Sequence, residues 1–263
     1  MLSNVLAIYR RELQSYFSSP LSYLIAAFFW LLSGFFFVAF LLGPEGLIQQ
    51  VAQRDQLGAN LPPIDVAYEL LRAFLGVMGS LVLFVMPMLS MGLYAEERKR
   101  GTLELLATSP IANWTVALGK LLGVVTFFTA MVAPLLIYEA IAFSAASPPL
   151  PPQVPLLGHF GLILLAASIL SLGMFVSSLT ESTLLAAVGT FVLVLFLWLI
   201  DIVADRVGGP AGAAIAHLSL LDNYNTLVQG IFDLGSVTLF ASYIALGVFL
   251  TAQYIETLRF SRR

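Results

Sequence analysis

Few residues in this chain could do chemistry, and the familiar catalytic arrangements are missing. Gly119 and Lys120 could begin a phosphate cradle, but Leu121 follows them and no glycine stands five residues before Gly119. Neither G-x-S-x-G nor H-E-x-x-H occurs. His159 and His217 are far apart and lack ligand spacing, and there is no cysteine, so no zinc site, thiolate site or disulfide framework is expected. No metal and no cofactor is expected in this chain, and it is not read as an enzyme. What remains is a polar stretch, Tyr94 to Asn113, in which Glu96, Glu97, Arg98, Lys99, Arg100 and Glu104 cluster between long apolar runs. Its chemistry would be docking. Glu97, Arg98 and Glu104 suit salt links to a partner, with Glu96 and Thr102 beside them. Leu103, Leu105 and Leu106 suit a partner's groove or the bilayer. The pattern reads as helix from Glu96 to Leu106, with Gly101 as a local turn and Ser109-Pro110 as the stop. A solvated charged loop is the plain alternative. The mixed charge signs and the interleaved leucines weigh against it.

The elements that must hold this stretch follow from composition. Of 263 residues, 59% are hydrophobic and 10% charged, with a mean hydropathy of +0.94. A soluble domain carries about 25% charged residues, so the main solvent here is the bilayer. The net charge of −3 gives no reason to expect nucleic acid. Six apolar runs, at about 21–42, 73–94, 118–143, 159–179, 183–201 and 237–255, each approach the roughly 20 residues that cross a bilayer as helix. Backbone in lipid must satisfy itself, so helices are the expected state. The fold class expected is therefore all-α integral membrane, with six transmembrane helices in a single domain, 1–263. Pro87 and Pro134 fall inside spans and should bend them.

Ahead of the spans, Leu2, Val5, Leu6, Tyr9, Leu13, Tyr16 and Phe17 recur on one face of residues 2–18, with Arg10, Arg11 and Gln14 opposite. That suits an amphipathic elbow helix in the headgroup plane, with Leu6, Tyr9, Arg10, Arg11 and Leu13 at the interface. A helix packed on protein is the alternative. Nine basic residues fall on the side of both termini and of 94–117, against three (Arg54, Arg72 and Arg206) on the other. By the positive-inside rule both termini and the polar stretch are cytoplasmic. Outside lie a polar segment 43–72, a proline-rich stiff cap 144–158 and a long segment 202–236. Part of the last, Ala213 to Ile231, reads equally as a re-entrant pair of short helices or a plain loop.

Ionisable residues in spans are costly and so are functional candidates. Arg72 and Glu139 fall near outer span ends at similar depth, the placement of an outer gate pair; interfacial anchoring is the other reading. Lys120 sits near an inner end and can snorkel, and Asp201 ends the fifth run. The middle of the bundle is nearly uncharged, which suits a hydrophobic or amphiphilic cargo and argues against a proton-coupled pump.

The stretch EERKRGTLELLATSPI, followed by LGKLLG at 118–123, resembles the cytoplasmic loop of type-2 ABC exporter permeases, and more narrowly the gliding-motility-type permease subfamily. RRELQSYFSSPLSY at 10–23, FVSSLTES at 175–182 and LDNYNTLVQGIFDLGSVTLFASY at 221–243 extend the likeness. The resemblance implies six transmembrane helices, an elbow helix, and a homodimer bound to two cytoplasmic ATPase subunits that hold ATP and Mg. It also implies a coupling helix at 94–106 and a bacterial cytoplasmic (inner) membrane location. The function expected is an ATP-driven exporter subunit. Two alternatives remain: a mechanical transmitter acting on a periplasmic or membrane accessory protein without cargo, and an ATPase-independent multi-span protein.

Overall fold

The computed structural model describes residues 2–57, 64–103, 111–147 and 149–260. Among them are eleven helices: α1 (Leu2–Ser18), α2 (Pro20–Leu42), α3 (Leu47–Leu57), α4 (Val66–Ser90), α5 (Gly92–Lys99), α6 (Asn113–Ser144), α7 (Gln153–Leu179), α8 (Thr183–Val207), α9 (Gly209–Ala216), α10 (Leu220–Val228) and α11 (Leu234–Phe260). Six of these, α2, α4, α6, α7, α8 and α11, contain a stretch long and apolar enough to cross a membrane. The fold is all-helical, as the apolar runs require. The helices outrun the apolar windows at several ends, because hydropathy marks only the lipid-compatible middle of a helix whose last turns are polar.

α7 is the hub. About 72% of its most apolar stretch is buried, against 17% for α8 and 22% for α11, and it touches α4, α5, α6, α8, α10 and α11. Small residues permit this. A Cβ added at Gly173 would lie 2.2 Å from Ser90 Oγ, and one at Gly247 would lie 2.5 Å from the Ser171 carbonyl carbon. Lipid tails are as apolar as leucine, so close backbone approach is what holds such helices together. The hydroxyls of Ser168 and Ser171 reinforce it by donating to the carbonyls of Phe240 and Tyr243 on α11.

The structure fills in the segments between the spans and corrects the extent of one of them. The polar segment 43–72 holds α3 and the start of α4, whose first turn Asp65 caps by accepting from the Tyr68 N–H. The stiff cap 144–158 is shorter than read, since α7 begins at Gln153; Pro155 is tolerated in its first turn, where no helical partner for its nitrogen is needed. Pro134 lies inside α6, which continues from Asn113 to Ser144, as Pro87 lies inside α4. Segment 202–236 carries α9 and α10, and α10 lays Leu220, Tyr224, Leu227 and Val228 against α4 and α7. The Tyr224 ring occupies the space of the side chain missing at Gly79, and Leu227 crowds the one missing at Gly161.

Candidate functional site

The polar stretch begins where α4 gives way to α5 at Met91, four residues past Pro87. A break leaves amide donors without helical partners, and the answer comes from another helix. Ser177 Oγ on α7 accepts from the N–H groups of Tyr94 (3.1 Å) and Ala95 (3.0 Å) and donates to the Met91 carbonyl (2.8 Å). α5 ends at Gly101, whose φ of +70° is the left-handed turn glycine tolerates. Thr102 N–H bonds to Glu97 O (2.9 Å) and Gly101 N–H to Arg98 O (3.1 Å), the paired closure of a Schellman motif. α5 therefore ends at Lys99, with Gly101 as the local turn that the sequence suggested, and the expected helix beyond Leu103 falls outside the described residues. Glu104 and Leu105 lie outside the described residues.

Two consecutive side chains tie α5 down. The Glu97 carboxylate meets Lys120 Nζ at 3.0 Å, and Lys120 also meets Glu12 at 3.2 Å. Lys120 is buried at 3% exposure, and its ammonium lies 5.1 Å from the Tyr94 ring centroid. It does not snorkel. Two carboxylates and an aromatic face compensate its charge in place, which water would otherwise have to do. On the other flank, Arg98 donates to the Ser178 carbonyl (2.9 Å) and the Tyr254 hydroxyl (3.0 Å) and pairs with Glu181 at 3.5 Å. Near by, the Asn113 amide donates to Glu256 and joins α6 to α11. α5 is thus bound directly to α6, α7 and α11, and through Lys120 to Glu12 of α1.

The elbow residues divide. α1 packs Val5, Ile8, Glu12 and Leu13 on α6, where Gly119 and Gly123 leave room: a Cβ there would lie 2.8 Å from Ile8 and from Glu12 respectively. Leu2, Leu6 and Phe17 remain exposed, as do Arg10 and Arg11, while Tyr9 is half-buried. The apolar stripe is wide enough to serve both readings, protein on one edge and an open apolar flank on the other. The Tyr16 hydroxyl donates to Leu89 O at 2.6 Å. Burial, then the Glu12 and Glu96 carboxylates, push its phenol well above the usual range, so it stays a donor.

Of the docking candidates, Glu96, Arg100, Gly101 and Thr102 are exposed, with Glu96 and Arg100 paired to each other at 3.3 Å. Glu97 and Arg98 turn inward. The candidate gate pair is not brought together: Arg72 is exposed on α4, while Glu139 is buried beside His159 at 3.6 Å. Sequence reasoning passed over Glu12, Ser177, Ser178, Glu181 and Tyr254. All but Tyr254 sit inside the stretches quoted above for their resemblance, and those scattered stretches converge here on one network.

A family model described as ABC-2 family transporter protein matches residues 6–263. No curated protein matches the chain. With six bilayer-length apolar helices and a family match across nearly its whole length, the chain belongs to the ABC-2 transporter family and is a multi-pass membrane permease.

Proposed function

We propose that the chain is the exporter-type permease of an ABC system, and that α5 with its Gly101 turn is the seat of a cytoplasmic ATPase. ABC-2 permeases generally work with such an ATPase. The observation that carries the reading is the two-sidedness of α5: one side is bound to three helices and through Lys120 to a fourth, and the other offers Glu96, Lys99, Arg100, Gly101 and Thr102 to solvent. A partner pressing on the free side moves the bundle through the bound side. Glu97 and Arg98 then transmit, while Glu96, Arg100 and Thr102, with Glu104 and Leu105 downstream, seat the partner. Two ATPase copies with their ATP and Mg would serve a homodimer of this chain in a bacterial inner membrane, with both termini cytoplasmic. An apolar groove of about 160 Å³ between α4 and α8, lined by Leu83, Phe84, Phe191, Val194 and Trp198, supports a hydrophobic or amphiphilic cargo moved outward. Assignment to the gliding-motility-type subfamily rests on the motifs quoted above. A cargo-free transmitter is the second reading, favoured by the polar cleft of Arg72, Asp222, Asn225 and Gln229 at the opposite end, which could seat an accessory protein.

The test is co-purification with the ATPase. Glu96→Lys with Arg100→Glu keeps the pair but swaps its polarity, and should cut ATPase recovery at least tenfold while the permease melts normally. Unchanged recovery would make the exposed side of α5 an ordinary solvated face. ATP hydrolysis stimulated by an external protein and indifferent to lipid would select the transmitter.

A further inference from the structure

The bundle end that carries α3 and α10 holds a second ionisable site, which the docking function does not use. Glu139 on α6 is 2% exposed and His159 on α7 is 3% exposed. His159 Nδ1 lies 2.9 Å from the carbonyl oxygen of Pro155. A carbonyl only accepts, so the ring hydrogen sits on Nδ1. The other nitrogen, Nε2, has no partner among the described residues. An imidazolium would carry a second N–H there with nothing to receive it, so the ring is neutral.

Glu139 is then left without a counter-charge. Its nearest contact with His159 is 3.6 Å, too long for a good hydrogen bond, and neither of its oxygens has a partner among the described residues. The neighbouring helices have little else to offer. α2 carries no ionisable residue beyond Tyr23, at its far end. On α4, Glu69 and Arg72 are exposed, and Tyr68 is directed to Gln229 O. On α10, Asp222 is exposed, and the buried Tyr224 spends its hydroxyl on the Leu75 carbonyl at 2.7 Å. Asp233, before α11, is exposed and accepts from the N–H and the hydroxyl of Ser236, and Tyr243 donates to Leu218 O. A lone carboxylate enclosed in this way is among the least favourable groups a protein can bury, and it takes up a proton instead.

We propose that Glu139, with His159 beside it, is a proton-binding site: in this conformation the carboxyl is the neutral acid at neutral pH. The proton turns an acceptor-only group into a donor and removes the isolated charge. Any state that parts α6, α7 and α10 enough to admit water would let the acid ionise, so opening at this end and proton release are thermodynamically linked. This qualifies the reading that a nearly uncharged bundle argues against a proton-coupled pump, because a buried acid counts as uncharged only while its proton stays.

The experiment uses the full chain in lipid nanodiscs. An infrared difference spectrum at neutral pH, wild type minus Glu139→Gln, should show the carbonyl band of a protonated carboxylic acid, shifted in D2O. Because glutamine copies the neutral acid, Glu139→Gln should fold and melt with the wild type. A difference spectrum with carboxylate bands and no acid band would overturn the proposal. So would failure of Glu139→Gln to fold, since only an ionised Glu139 would make the charge indispensable.

Discussion

Lys120 is the residue on which the α1–α5–α6 junction closes, and it is the cheapest to interrogate. Its ammonium is held by Glu12 and Glu97 in a place water hardly reaches. Removing one member of a buried charge group leaves the others uncompensated, at a cost of about 3–5 kcal/mol. Lys120→Met should therefore lower the permease melting temperature sharply, whereas Glu12→Gln, which leaves one lysine and one glutamate, should cost clearly less. Equal, small losses from both would mean that the triad is solvated and its strength ordinary. Lys120 is legible in the sequence as a cation at a span end. Its partners are not, because Glu12 and Glu97 lie 108 and 23 residues away and only the packing of three helices brings them together. The same holds for Glu139, whose expected partner Arg72 shares its depth but not its side of α4. Depth can be read from a span's position along the chain; rotation about the helix axis cannot.

At the scale of elements, the α1–α6 seat depends on what is absent. Gly119 and Gly123 leave α6 bare where α1 crosses it, and any Cβ there meets Ile8, Glu12 or the α1 backbone at 3.1 Å or closer. Gly123→Val should lift α1 from α6, with an overpacking cost of about 1–3 kcal/mol and faster proteolysis within residues 2–18. An unchanged digestion pattern would show that α1 holds by its exposed flank alone. That flank has its own expectation. Leu6→Asp should weaken attachment to the membrane surface while Ser3→Asp does not, as read by flotation with liposomes. Equal effects would remove the interfacial role of α1. The sequence makes α1 legible as an amphipathic helix through its period. It cannot say which part of a broad apolar stripe meets protein, because the receiving surface consists of two glycines with no pattern of their own.

For the whole molecule, the six spans are legible because apolar length is a one-dimensional property, and the basic-residue asymmetry predicts which side the termini occupy. The chain has no cysteine, so single cysteines give a clean test of sidedness. Ser147→Cys and Gly209→Cys should react with an impermeant reagent in intact cells, and Thr102→Cys should not. Labelling of Thr102→Cys would invert the protein and remove the docking proposal with it. The two anchors of α5 carry a further consequence. Residues 97 and 98 leave a helix about 100° apart around its axis, and each is fastened to a different group of helices. A helix held at one point could spin like an axle under a glancing load. Held at two bearings, α5 cannot roll, so a twisting load at its free side arrives in the bundle as torque.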